Sequence, residues 1–379
     1  MAGIYIHVPF CKSKCIYCDF YSVTDCSRQG AFVSRIIEEL KERRDELPPG
    51  EPVRTIYFGG GTPSLLSAQE VERMLSAIRE NYLLTFPDVE ITLECNPGDL
   101  THVEAEELVR TGINRVSIGA QSFNPTALKF LTRRHTPLET AEMVRLFRRA
   151  GIRNITLDLI YGIPHTTIED LLKDLESLVS LDPEHVSAYS LMYEEGTPLH
   201  RSLLARKVTE TDEDTVLEMS HLVRGFLRDH GYEQYEISNF RRIDPVTDYR
   251  SQHNSSYWDG TPYLGFGPGA HSYVDPVRSW NVSDLELYLT GAPRKSETLT
   301  REMKLEEYLL TRLRTSTGID LDKIKALSAS DDAYRTFLDR ASEMTLGEEP
   351  LLTQSPCGYR LTDRGIDLSD SVILRLAED

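Results

Sequence analysis

Three cysteines, Cys11, Cys15 and Cys18, fall within one short stretch, Cys11-Lys-Ser-Lys-Cys15-Ile-Tyr-Cys18. A single loop of that length can turn all three sulfurs to one side, where they wrap one small inorganic core. A [4Fe–4S] cubane ordinarily takes four thiolates. Three leave one iron open, and an open iron can bind something reactive. Zinc is the competing occupant, because structural zinc sites use similar spacings and want four ligands. His7 or Cys26 could supply the fourth. The remaining cysteines are Cys95 and Cys357. A disulfide framework is not expected in a chain of 379 residues with no export signal.

Further along, Gly59-Gly60-Gly61-Thr62-Pro63 closes a strand-like run. Without Cβ atoms the backbone there can approach a ligand closely. The plainer reading is a tight strand-to-helix turn. Glu94, Gln121 and Asp158 sit in or at the ends of later strand-like runs, and Arg133 follows on the next helical segment. Each alone reads as a satisfied buried polar group. Together they predict a ring of polar side chains at one end of the fold, as a small-molecule site requires.

The elements that must position these groups are legible from periodicity. Strand-like runs lie at Gly3–Val8, Arg54–Phe58, Val89–Glu94, Arg115–Ala120, Asn154–Ile160 and His185–Leu191. They are short and nearly continuously apolar, as for strands buried on both faces of a parallel sheet. Between them run helical patterns. Ser67-x-x-Glu70, Thr101-x-x-Glu104, Thr136-x-x-Glu139, Thr167-x-x-Asp170 and Thr211-x-x-Asp214 read as capping boxes or acidic first turns. Gly112, Gly151 and Gly231 stand where helices should stop. The first helix is expected to bury Phe32, Ile36 and Leu40, with Val33 and Ile37 beside them. This alternation predicts an α/β protein, either a partial barrel or a doubly wound sheet, with its chemistry at the carboxyl ends of the strands.

The rhythm divides the chain into residues 1–235, a connecting segment 236–295 rich in Tyr, Trp, Gly and Pro, and a mainly helical module 296–379. The module is expected to hold helices Met303–Leu313, Leu321–Leu327 and Ala333–Met344. The strand-like runs Leu351–Gln354 and Tyr359–Thr362 then give it a winged-helix-like outline. Such modules often bind DNA, but this one carries more acids than bases and reads as a packing or interaction domain.

The formal net charge is −18. So acidic a surface repels phosphate backbones and argues against nucleic acid. No apolar run is long enough to span a bilayer, and the N-terminus lacks the pattern of a secretory signal. A cytoplasmic protein is expected, with peripheral membrane contact left open.

Cys-x3-Cys-x2-Cys directly after a first strand, followed by Gly59–Pro63, resembles the radical S-adenosylmethionine (SAM) superfamily, and within it the coproporphyrinogen-oxidase-like family. The resemblance implies a partial (β/α)6 barrel followed by the winged-helix-like module. It implies a [4Fe–4S] cluster on Cys11, Cys15 and Cys18, with SAM on the open iron. Gly60, Gly61 and Thr62 would meet SAM, as would Glu94, Gln121, Arg133 and Asp158. Tyr5 would also touch it, and Tyr17 would pack near the cluster. SAM cleaved and SAM bound without turnover are both compatible with these motifs.

Two branches of that family do different work, coproporphyrinogen III oxidation and haem delivery. The oxidase usually carries a fourth cysteine where this chain has Phe20, and an N-terminal extension for which there is no room before Cys11. His253-Asn254-Ser255-Ser256-Tyr257-Trp258 matches the HNxxYW motif of the haem chaperones. The implied function is haem binding and delivery to a haem-dependent, respiratory protein, with an electron donor for the cluster. Neutral imidazole is a common haem ligand and Tyr257 and Trp258 could stack on porphyrin, so His253 is the expected iron ligand. The alternative is an interdomain turn whose aromatics merely pack. His271, in Gly265-Phe-Gly-Pro-Gly-Ala-His271-Ser-Tyr, is a second candidate, expected instead to be a hydrogen-bonding residue.

Overall fold

The computed structural model describes residues 1–377. Six parallel strands form its centre: β1 (Ala2–Val8), β2 (Val53–Gly60), β3 (Glu90–Cys95), β4 (Arg115–Gln121), β5 (Ile155–Tyr161) and β6 (His185–Ser190). They match the expected runs to within one or two residues at either end, and they lie side by side in chain order. Helices connect them and cover the outer face. Helix Gln29–Glu42 buries Phe32, Val33, Ile36 and Leu40 in the same core as Ile4, Ile6 and Val8 of β1. Truncating a side chain such as Ile6 there costs about 2–5 kcal/mol. Four expected capping boxes are present, on Ser67, Thr101, Thr136 and Thr167. The fifth is displaced by one residue: Asp212, not Thr211, caps helix Glu213–Asp229, because its carboxylate accepts from the Thr215 amide.

The segment 236–295 does more than connect. β7 (Tyr232–Glu236) and β8 (Asn239–Arg242) add to the edge beyond β6, and β8 is the strand that pairs with it. At the other edge β9 (Tyr263–Phe266) runs parallel to β1. β10 (His271–Val274), β11 (Val277–Trp280) and β12 (Lys295–Thr298) extend that edge antiparallel. The result is a sheet of twelve strands among the described residues. Short strands separated by Gly-rich turns carry too little periodicity to be read from sequence.

The C-terminal module has a core of its own, built from Leu309, Leu313, Ile324, Phe337, Leu352 and Val372 with their neighbours. Its helices Arg301–Leu313, Leu321–Leu327 and Asp331–Glu343 and its sheet of β13 (Ile319–Asp320), β14 (Leu352–Ser355) and β15 (Gly358–Leu361) follow the expected outline. The module docks through polar contacts. Arg314 pairs with buried Glu236 at 3.1 Å and lies over the Trp258 ring at 4.3 Å. No helix among the described residues is long and apolar enough to cross a membrane.

Candidate functional site

A cavity of about 470 Å³ opens at the carboxyl ends of the parallel strands. Its wall includes Cys11, Cys15 and Cys18, the turn Gly60–Thr62, and Glu94, Gln121, Arg133 and Asp158. Residues far apart in the chain thus meet at one place, because a parallel sheet delivers every strand's carboxyl end to the same side.

The thiol loop is tied to the polar ring. Thr62 Oγ1 donates to Cys11 Sγ at 3.6 Å, and Arg133 Nη1 donates to Cys15 Sγ at 3.6 Å. Arg133 also donates through Nη2 to Asn96 Oδ1 and to the Gly119 carbonyl, while its Nε is buried without a partner. Burial pushes the Cys11 thiol up and the Cys18 thiol up to about 11. A metal core that removes their protons relieves that penalty. Among the described residues no three His, Cys, Asp or Glu side chains are placed to hold a single metal ion. His7 is not poised as a fourth zinc ligand, since Tyr21 O and the Tyr5 hydroxyl engage its two ring nitrogens. Cys26 does not line the cavity. The three thiols share one cavity wall, and neither His7 nor Cys26 stands with them there as a fourth ligand.

The glycine turn is shaped for close approach. Gly60 has φ +106°, and a Cβ on it would lie 2.5 Å from the His7 ring. A Cβ on Gly61 would lie 2.7 Å from the Phe10 carbonyl. Gln121 has φ +63°, where the pairing of β4 with β5 slips between Ile118 and Gln121. Such left-handed backbone in a non-glycine residue costs energy and is typical of positions held for function.

Two half-buried carboxyls dominate the electrostatics. Glu94 accepts from Tyr57 OH at 2.8 Å and from the Gly60 amide at 3.1 Å. Burial, assisted by the charge of Asp158, pushes its pKa up to about 7. Burial likewise raises Asp158 to about 6, against the hydrogen bond it accepts from Ser117. Near neutral pH the pair sits close to the boundary between one charge and two.

Tyr5 is placed differently from the other expected SAM contacts. It does not line the cavity; its ring stands behind the glycine turn, 3.0 Å from where a Gly59 Cβ would be. His253 departs further. It is buried, with Nδ1 bonded to Thr55 Oγ1 at 2.8 Å and Nε2 to Tyr257 OH at 2.8 Å. Its ring stacks on Tyr57 at 5.0 Å. Both nitrogens are used, so neither is open to haem iron in this conformation. Tyr257 packs edge-on to Tyr263 and Trp258 lies beneath Arg314. The motif, expected to be a turn if it merely packs, forms the short helix Gln252–Trp258, capped by Ser251, with all three of these side chains against protein neighbours.

Residues 5–178 match the family profile described as the Radical SAM superfamily. A heme chaperone HemW of Lactococcus lactis is 33% identical, over 99% of this chain and 97% of that protein. The Mycobacterium tuberculosis protein of the same name is 34% identical, over 99% of this chain and 94% of its own length. The chain belongs to the HemW family of radical SAM proteins. Coproporphyrinogen III oxidase (HemN) of Escherichia coli superposes with a TM-score of 0.82 at 21% identity, over 99% of this chain and 90% of that one. That likeness establishes the shared fold. Membership of the HemW family implies a [4Fe–4S] cluster and SAM.

Several cavity residues escape a reading based on motifs: Thr92, Arg115, Ser117, Thr156, His185 and Ser187. The signal for them is present. Along β3, Glu90, Thr92 and Glu94 alternate with Ile91 and Leu93, and along β4 to β6 Arg115, Ser117, Thr156, Asp158, His185 and Ser187 likewise alternate with apolar residues. Reading the runs as continuously apolar hides that alternation.

Proposed function

We propose that the chain is a haem chaperone built on a radical SAM scaffold. Cys11, Cys15 and Cys18 would hold the [4Fe–4S] cluster, and haem would be cargo for a haem-dependent acceptor protein. The observation that carries this reading is full-length similarity to proteins named heme chaperone HemW, together with three thiols on the wall of one polar cavity.

When bound, the cluster supplies one electron at a time to a ligand on its open iron. The chain's own residues do the rest. Thr62 and Arg133 donate hydrogen bonds to thiol sulfurs, which steadies negative charge on them. The backbone of Gly60 and Gly61 would meet SAM at the cavity wall, their missing Cβ atoms making room behind it for His7 and Phe10. Glu94, Asp158 and Gln121 offer acceptors suited to its ammonium and ribose groups, and Arg133 offers a cation suited to its carboxylate. Tyr5 acts from behind, buttressing the glycine turn. An acidic surface and a non-basic module suit a protein partner better than nucleic acid. A cytoplasmic location fits the same reading.

The test is anaerobic reconstitution followed by titration with ferric haem. Iron and sulfide near four per chain, then haem saturating near one per chain, are the expected results. Cluster assembly without haem binding would discard the chaperone reading. Conversion of coproporphyrinogen under reducing conditions with SAM would replace it with the oxidase reading.

A further inference from the structure

The second histidine of the sequence analysis stands in the opposite situation to His253. His271 begins β10, between β9 and β11 and two strands in from the outer strand β12, and is exposed. It makes no side-chain hydrogen bond among the described residues. Its ring lies against Trp280, its cross-strand partner on β11, with centroids 5.8 Å apart and planes inclined by 17°. Tyr273 and Arg278 form the next such pair on the same face, and Lys295 of β12 stands opposite Trp280. Arg278 is committed to Glu297 and Glu307. Lys295 is exposed and in no ion pair among the described residues.

The backbone under His271 is held firmly. The loop before it, Gly267–Ala270, lies against the end of β1, where a Cβ on Gly267 would be 2.4 Å from the His7 carbonyl. Gly269 faces Tyr21, in the loop that carries the three cysteines. Partial burial and the nearby Arg278 charge lower the pKa of His271, so the ring is neutral at neutral pH. A neutral imidazole with a lone pair free of protein partners is what haem iron ligation requires.

We propose that haem docks on this face, with His271 as an axial ligand to its iron, Trp280 packed beside the porphyrin and Lys295 meeting a propionate. The inference rests on haem being the cargo and names the site that carries it. A flat macrocycle with two carboxylates matches a flat aromatic strand face bordered by an uncommitted cation.

The experiment uses the full chain with its cluster reconstituted, titrated with ferric haem and read by Soret absorbance and electron paramagnetic resonance. His271→Ala is expected to weaken binding by about ten-fold or more and to lose the histidine-ligated signature. His271→Tyr is expected to bind haem with a phenolate-ligated spectrum in its place. Cluster absorbance and the melting temperature report whether each variant is folded. Wild-type affinity and spectrum in His271→Ala, or a wild-type spectrum in His271→Tyr, would overturn this assignment while leaving the chaperone reading intact. A wild-type protein that binds no haem would overturn both.

Discussion

The inward face of the sheet carries polar and aromatic side chains from one edge to the other, but its two halves treat them differently. Across β1–β6 they are enclosed: Glu94 and Asp158 are half-buried and tied to Tyr57 and Ser117, and His253, on the helix Gln252–Trp258 laid against β2, is buried and bonded to Thr55 and Tyr257. Across β10–β12 the face is open, and His271 and Lys295 are exposed without such partners. The same residue type, histidine, therefore does opposite work. In the enclosed half an imidazole is a structural strut whose nitrogens are spent. In the open half it is a ligand in waiting. Side-chain chemistry does not separate the two; burial and satisfaction do.

The largest effect should come from the thiol loop. Replacing Cys11, Cys15 and Cys18 together by Ala is expected to remove the cluster, which iron analysis and the visible spectrum would show. Iron retained at the wild-type level would mean that the enclosed half holds its metal elsewhere.

The two histidines provide the next test. His253→Ala removes two hydrogen bonds and a ring stacked on Tyr57, and is expected to cost about 2–4 kcal/mol in denaturant unfolding. Its haem spectrum should stay that of the wild type. Loss of the haem signature in a folded His253→Ala protein would erase the contrast with His271.

Acidity offers a finer probe. The folded chain holds Glu94 protonated up to about pH 7, whereas in the unfolded chain the carboxyl titrates near its ordinary value of 4.5. The folded state therefore keeps a proton that the unfolded chain has released. The contribution of this group is fully present below pH 4.5 and is lost as pH rises through about 7. Glu94→Gln cannot lose a proton. Across that window the variant should gain about 1–3 kcal/mol relative to the wild type, measured on cluster-free protein. A difference independent of pH would show that the carboxyl is not held up by burial.

The smallest effect belongs to Lys295→Ala, expected to weaken ferric haem by about two- to five-fold with no change of spectrum, as for one exposed ion pair. An altered spectrum there would mean that the lysine orients the iron and does more than meet a carboxylate.

Much of this was legible in the chain. The six central strands, four capping boxes and the module's helices follow from short-range periodicity and local hydrogen bonding, which tertiary context did not override. Seven of the eight expected SAM contacts share one cavity wall, because the strand ends that carry them are brought together by topology alone. The less legible part is consistent in kind. Tyr5 lies one layer back, which strand position cannot reveal. Arg115 and His185 were hidden among apolar neighbours. β9–β12 are held by pairing to β1 and to each other, contacts with no local signature.

By itself the sequence determined the cysteine triplet proposed to hold the cluster, the order of strands and helices and the family. Cysteine spacing and backbone periodicity are local properties that survive without a fold. Only the tertiary structure decided which histidine is spent and which is open, which carboxyls approach each other, and that residues 236–295 complete the sheet. Those are matters of burial and proximity between distant segments, and they exist only once the chain has closed on itself.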